Sequence, residues 1–221
     1  AESSYRKAIE IKPDFVDAAW NLYGLSNSLE EAEERINQCL KADENHLDAK
    51  LTLSALKLHQ EDQSLFDNLI NSLHKDHPTT RSIKWVATLP KLPELFFHRW
   101  ALFDSMINKS KKDRPFYEFG VWRGESFKYL INTFNKGYGF DTFEGLPEDW
   151  HQMKQGRFST EGSIPEIDGG KFIAGKFEET LPTFFAESRP LASIINFDAD
   201  LYSSTLCALN YSKSVIDKDT I

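Results

Sequence analysis

The chain has 221 residues and a formal net charge of -8, with 40% hydrophobic and 13% aromatic residues. That length admits one large or two small domains, and the apolar content is enough for a core, which excludes global disorder. The acidic balance argues against a nucleic-acid partner, which would demand a basic face, and no apolar run approaches the length of a membrane span.

The N-terminus, AESSYRKAIE, is polar and helix-like and carries no signal-peptide pattern. Cys39 and Cys207 lie far apart and make no disulfide framework, so a reducing, cytoplasmic setting is expected, with both as small core residues. Apolar residues recur at three- and four-residue spacing through Ser3–Ile11, Asp17–Leu25, Leu29–Leu40, Leu47–His59 and Ser64–His74, which predicts five helices. Ser28 with Glu31 forms a capping-box signature, and Pro13 and Pro78 are expected in the breaks between helices.

These helices repeat. Tyr5–Leu22 aligns with Asn37–Leu53, so that Val16, Asp17 and Ala18 correspond to Leu47, Asp48 and Ala49; a weaker third copy covers Leu69–Trp85. The period of roughly 31–34 residues is near that of tetratricopeptide helix pairs. AIEIKPD followed by AAWNL resembles that family closely in the first copy, which implies stacked helix pairs with a concave face for a peptide or partner chain. A generic helical bundle is the alternative. Residues 1–88 are therefore expected to form tetratricopeptide-like repeats and 89–113 a linker with a capping helix. LPKLP (Leu89–Pro93) would stiffen the linker, and Glu94–Asn108 would supply the helix.

From Arg114 the pattern changes to strands alternating with helices, the sign of a parallel sheet. Strands are expected at Pro115–Gly120, Tyr138–Thr142, Lys171–Ala174 and Leu191–Asp198, with helices at Glu125–Asn135, Glu178–Ser188 and Ser204–Ile216. Thr220 and Ile221 would open a fifth strand. The long connection Glu144–Gly170, rich in glycine and aromatic residues, has the character of a mobile flap over a site. Overall the expected class is α/β: all-α repeats, then a Rossmann-like domain over 114–221, incomplete at its fifth strand.

Two stretches carry chemistry. In FYEFGVWRGES (Phe116–Ser126) an apolar run ends in Glu118, turns through Gly120 and reaches Gly124 just before a helix; the next apolar run ends in Asp141. Glycines permit a tight turn, the helix start offers unpaired N–H groups, and an acid at the end of the second strand can accept bonds from ribose hydroxyls. The spacing is E-x-G-x-x-x-G rather than G-x-G-x-x-G, with bulky Trp122 and Arg123 inside the turn. That suits an adenosine-bearing cofactor without phosphates, S-adenosylmethionine, better than a dinucleotide. An ordinary strand-to-helix turn is the alternative. In NFDADLYSST (Asn196–Thr205), Asp198 and Asp200 fall two apart at the end of an apolar strand and could converge on Mg²⁺ or a similar divalent ion. The alternative has one of them capping the next helix and the other solvated.

Together with GFDTFEGLPEDW (Gly139–Trp150), GRFSTEGSIP (Gly156–Pro165) and GKFEETLP (Gly175–Pro182), these motifs resemble class I S-adenosylmethionine-dependent methyltransferases. More narrowly, residues 114–221 resemble the macrocin O-methyltransferase family, whose members methylate sugar hydroxyls with a divalent metal. The resemblance implies Asp198 as metal ligand and Asp200 as general base. It also implies a cofactor site of Glu118, Phe119, Gly120, Val121, Gly124, Ser126, Asp141, Thr142 and Phe143, with Asp141 on the ribose and Thr142 and Phe143 beside the adenine. Phe177 would pack on the other side of the adenine or in the core. Tyr202 would shape the pocket, and His151 is the histidine nearest the flap.

The acidic pair that the family carries after its fifth strand is absent, so the expectation is a fragment, cut at both ends, of a longer methyltransferase. A non-catalytic interaction protein with a degenerate domain is the alternative function. A dehydrogenase is disfavoured by the missing dinucleotide glycines.

Overall fold

The computed structural model describes residues 2–221 and divides into two compact units, Ala1–Leu102 and Phe103–Ile221. The first contains α1 (Glu2–Ile11), α2 (Val16–Tyr23), α3 (Leu29–Ala42), α4 (Leu47–His59), α5 (Ser64–Ile70) and α6 (Pro78–Val86). The sequence repeat is visible in the backbone. Val16 and Leu47 each begin a helix, and Ala18 and Ala49, two residues on, are both buried. Small side chains at those positions let consecutive helices approach, and Ala19, Ala32, Ile36, Cys39, Ala49 and Leu56 form one core across α2, α3 and α4. A second core joins Leu51 and Leu58 of α4 to Phe66, Leu69 and Ile83.

Caps set the helix boundaries. The Ser28 hydroxyl accepts from the Glu31 N–H at 3.2 Å, while the Glu31 carboxylate accepts from the Asn27 N–H at 3.0 Å rather than from that of Ser28. α5 stops at Ile70, short of the expected His74. There Asn71 donates back to the Asp67 carbonyl and Ser72 to the Leu69 carbonyl, satisfying groups that another turn would have used. Pro78 does not sit in a break but opens α6 at its first position, where its missing N–H costs nothing. His46 and His77 act as N-caps through Nδ1, accepting from Ala49 and Thr79.

The helix expected from Glu94 begins only at Arg99: α7 is Arg99–Lys109. Leu95 and Phe97 instead pack against the first helical core, and His98 Nδ1 accepts from the Ala101 N–H at 3.4 Å, which starts the helix one residue later.

The second unit holds β1 (Phe116–Phe119), α8 (Glu125–Phe134), β2 (Gly137–Asp141), β3 (Gly170–Ala174), α9 (Phe177–Ala186), β4 (Ile195–Phe197) and α10 (Tyr202–Ser212). The four strands form one parallel sheet in the order β3-β2-β1-β4. The architecture is α/β with a Rossmann-like part, and among the described residues no helix is long and apolar enough to cross a membrane. The fourth strand is shorter than the expected Leu191–Asp198: its register with β1 begins at Ile195, although the Ser193 N–H already donates to the Pro115 carbonyl and the Tyr117 N–H to the Ile194 carbonyl. On the far side of β4, Ile221 exchanges two backbone bonds with Ser193 and Ile195 (3.0 and 2.8 Å), the start of a further pairing.

Strand alternation sorts the two faces. Tyr117 and Phe119 stack on Tyr138 and Phe140 beneath α9 and α10, with Phe177, Leu181 and Phe184 completing that core. Phe116 faces α8 with Phe127 and Phe134. The neighbouring β2 residues on the α8 face are Gly137 and Gly139. A Cβ at Gly137 would strike the Phe116 and Phe127 rings, so the small residue makes room for aromatic packing from β1 and α8.

At the entry to β1, Arg114 Nη1 donates to Asp217 Oδ1 at 2.8 Å; the same carboxylate accepts from the Asp219 N–H and the Thr220 hydroxyl. The guanidinium bond, then the backbone and hydroxyl donors, hold the Asp217 carboxyl down at about 2. Because its folded value is depressed, its contribution to stability is complete above the unfolded value of about 3.9 and is lost as pH falls towards 2. The denaturation midpoint of Arg114→Met is therefore expected below that of the parent at pH 6, with the gap closing between pH 4 and pH 2. A gap of constant size would mean that Arg114 acts by packing alone.

Candidate functional site

The strand order places a topological switch point between β1 and β4. From β1 the chain winds outward through β2 to β3, then returns to the other side of β1. In open α/β sheets the crevice beyond the carboxyl ends of two such strands is where ligands bind. The glycine turn follows β1 and the Asp198–Asp200 segment follows β4, so both sequence motifs reach this crevice.

The turn is held from three sides. Gly120 has φ +97 and donates to the Phe140 carbonyl at 2.9 Å. A Cβ on Gly120 would collide with the carbonyl of Asp198, its carbon lying 2.7 Å away, so the close approach served by this glycine is to the end of β4. Gly124 has φ +75 and caps α8; its Cβ would meet Ile167 and Pro165 of the long loop at 3.2 and 3.4 Å. Asp141, one residue past the last β1–β2 pair, turns its carboxylate back across the turn. Oδ2 accepts from the Val121 and Trp122 N–H groups at 2.7 and 2.8 Å, and Oδ1 from Phe143 at 2.8 Å. A carboxylate has about four acceptor sites, so these bonds leave about one for a ligand hydroxyl.

Glu118 is fully buried on β1, and its Oε1 accepts from Asn196 Nδ2 of β4 at 2.8 Å. Of the other expected cofactor residues, Phe119 lies in the core between Phe140 and Phe197. Val121 and Ser126 are buried beside the turn. The Thr142 hydroxyl donates to the Gly145 carbonyl. Phe143 is buried with its ring edge-on to Phe172. Phe177 takes its core alternative, edge-on to Phe119. Tyr202 is 82% exposed at the start of α10, and His151 is exposed beside Trp150.

Asp198 and Asp200 are exposed at the crevice rim. α10 begins after Leu201 with no side-chain cap, so the residue at its N-cap is neither aspartate. Partial desolvation raises the Asp200 carboxyl above its ordinary range, and the charges of Asp198 and then Asp141 raise it further. Asp200 thus feels both acids across the crevice. Asp198 and Asp200 supply two hard oxygen donors; among the described residues no group of three or more His, Cys, Asp or Glu side chains is gathered to hold a metal ion. The donor set for a cation is therefore incomplete as it stands, and no chemical step below runs through a metal.

The long loop between β2 and β3 is folded back on itself. The Phe143 carbonyl accepts from the Thr160 and Gly162 N–H groups, and Leu146 exchanges backbone bonds with Gly156 and Arg157. Its far limb and the glycine turn enclose a cleft of about 410 Å³ lined by Trp122, Arg123, Ser159, Thr160, Glu161, Ser163 and Pro165. The volume lies within the range of small-molecule sites. Trp122 is a non-glycine residue at φ +50, with the Arg123 guanidinium over its ring at 4.7 Å and Phe158 edge-on.

Comparisons with models of known protein families, with curated proteins and with solved structures give no match. The functional reading therefore rests on the site itself.

Sequence reasoning missed Asn196 and the cleft wall. The Asn196 signal was present as one amide inside the apolar run Ile194–Phe197. The wall residues Ser159–Pro165 lie in the quoted GRFSTEGSIP stretch and the expected flap, but their meeting with Trp122 follows only from the fold of the loop.

Proposed function

We propose that the unit Phe103–Ile221 is an S-adenosylmethionine-dependent O-methyltransferase acting on a sugar or another small hydroxylated acceptor. The observation that carries this reading is the meeting, at the β1/β4 switch point, of the glycine turn held by Asp141 with the Asp198–Ala199 backbone that leads into Asp200. When bound, the cofactor supplies an electrophilic methyl on a sulfonium. Glu118, the Gly120–Gly124 turn and the remaining acceptor site of Asp141 would hold it, and an acidic edge suits a cation. Asp200 removes the acceptor proton, and the cleft beside Trp122 orients the acceptor. The resemblance also implies a divalent ion at Asp198, for which Asp198 and Asp200 offer two donors, and no step of the proposal depends on it. The motif resemblance described above supports the family assignment to macrocin-type O-methyltransferases, and the helical pairs of the first unit are read as a tetratricopeptide-like docking platform for a peptide.

One observation favours a second reading, a non-catalytic scaffold: Asp141 spends three acceptor sites on the turn, and the glycines have local reasons without a ligand, positive φ at both and the Asp198 backbone against Gly120. Calorimetric titration with S-adenosylmethionine separates the two. Binding is expected, and Asp141→Asn should weaken it about tenfold, since one charge-assisted acceptor is lost. A folded chain that takes up no cofactor, with or without added Mg²⁺, would favour the scaffold.

A further inference from the structure

In a sheet that otherwise packs aromatic rings, the fully buried Glu118 is bonded to the half-buried Asn196. Glu118 shares its face with Phe116, and its in-register neighbours are Gly139 on β2 and Asn196 on β4. Gly139 contributes no side chain, and a Cβ there would lie 2.7–2.8 Å from Phe172 and Val121. The amide of Asn196 is thus the in-register side chain beside this carboxylate. Burying a carboxylate costs stability unless it is hydrogen-bonded, and a leucine or methionine would fill the same space without that cost. A buried acid retained at a switch point is therefore more economically explained by a ligand than by packing.

We propose that Asn196 is a positioning residue: its Nδ2–H fixes the Glu118 carboxylate between β1 and β4 for contact with the cationic cofactor. This rests on the methyltransferase reading. Glu118 is fully buried, and what the structure shows is the pairing that orients it. Strand pairing sets Glu118 directly opposite Asn196, the 2.8 Å bond selects one carboxylate orientation, and both residues stand on rigid elements rather than loops.

The test is a double-substitution cycle read as S-adenosylmethionine affinity, using the whole chain with Asn196→Leu, Glu118→Gln and both together. Asn196→Leu is expected to weaken binding about tenfold in the parent, as loss of a hydrogen bond to a charged group does, and to have no further effect once Glu118 is glutamine. Equal weakening in both backgrounds, or none in the parent, overturns the proposal and assigns Asn196 to packing. If the leucine variant fails to fold by circular dichroism, Asn196→Ala replaces it, since it removes the amide donor and adds no other. Absence of binding by the parent itself overturns the methyltransferase reading and this inference with it; additive effects overturn only the inference.

Discussion

Gly120→Ala is expected to destabilise the second unit by about 2–5 kcal/mol and to open the crevice. Two costs combine. A non-glycine residue in left-handed backbone costs roughly 1–2 kcal/mol, and forcing atoms into a filled space costs about 1–3 kcal/mol more. The filling atoms are the carbonyl carbon and oxygen of Asp198 and the nitrogen of Ala199, all backbone, so no side chain can swing aside. Relief would require the end of β4 to move away from β1, which would strain the bond from the Asp198 N–H to the Phe119 carbonyl at 2.8 Å. Two other glycines serve as controls. Gly124→Ala has a similar φ but meets only Ile167 and Pro165 side-chain atoms beyond 3 Å, and Gly156→Ala at φ +82 meets nothing within 4 Å. Urea denaturation should rank the losses Gly120 over Gly124 over Gly156. Equal losses at all three would show that backbone strain alone matters and that β4 does not press on the turn.

The contrast between these glycines shows what the sequence could and could not reveal. The motif E-x-G-x-x-x-G announced a tight turn before a helix, and the structure has one. It could not announce what the first glycine makes room for, because Asp198 lies nearly eighty residues away in the chain and meets Gly120 only through the strand order. Asp141 was legible as an acid ending β2, since an apolar run stops there. Its engagement by the Val121 and Trp122 N–H groups was not, because that follows from the register of β1 with β2. Helices were legible wherever an apolar stripe met a recognised start signal, as at Leu29, where Ser28 and Glu31 mark the start. They were misjudged where Leu95 and Phe97 leave the stripe to pack in the first helical core, so that α7 starts only at Arg99, or where Asn71 and Ser72 bonded back to close the last turn of α5. The role of the β2 glycines was not legible either: they are complements to Phe116, Phe127 and Phe172, a reason that appears only once α8 is laid across the sheet.

Under the proposed function, Asp200→Asn is expected to lower methyl transfer by about 10²–10⁴-fold, the usual contribution of a positioned base, while cofactor affinity and folding change little. The pH dependence makes the assignment specific. Desolvation and then the charges of Asp198 and Asp141 raise the folded Asp200 carboxyl above its unfolded value. A carboxyl raised in this way is charged at a cost in the native state, so that penalty is present above its folded value and disappears as pH falls below its unfolded value. Asparagine removes the penalty, and the variant should be as stable as the parent or slightly more so near neutral pH. In the parent, the acid limb of the rate profile should lie above the ordinary carboxylate range, because the basic form is lost as pH falls through the raised value. Asp198→Asn removes one charge that raises it but leaves the desolvation. Its residual activity should therefore show an acid limb shifted to lower pH, and carboxyl resonances of Asp200 should titrate with the same shift. A parent-like rate in Asp200→Asn would remove Asp200 from the chemistry. An unshifted limb in Asp198→Asn would mean that the group controlling the rate is not the one these aspartates surround.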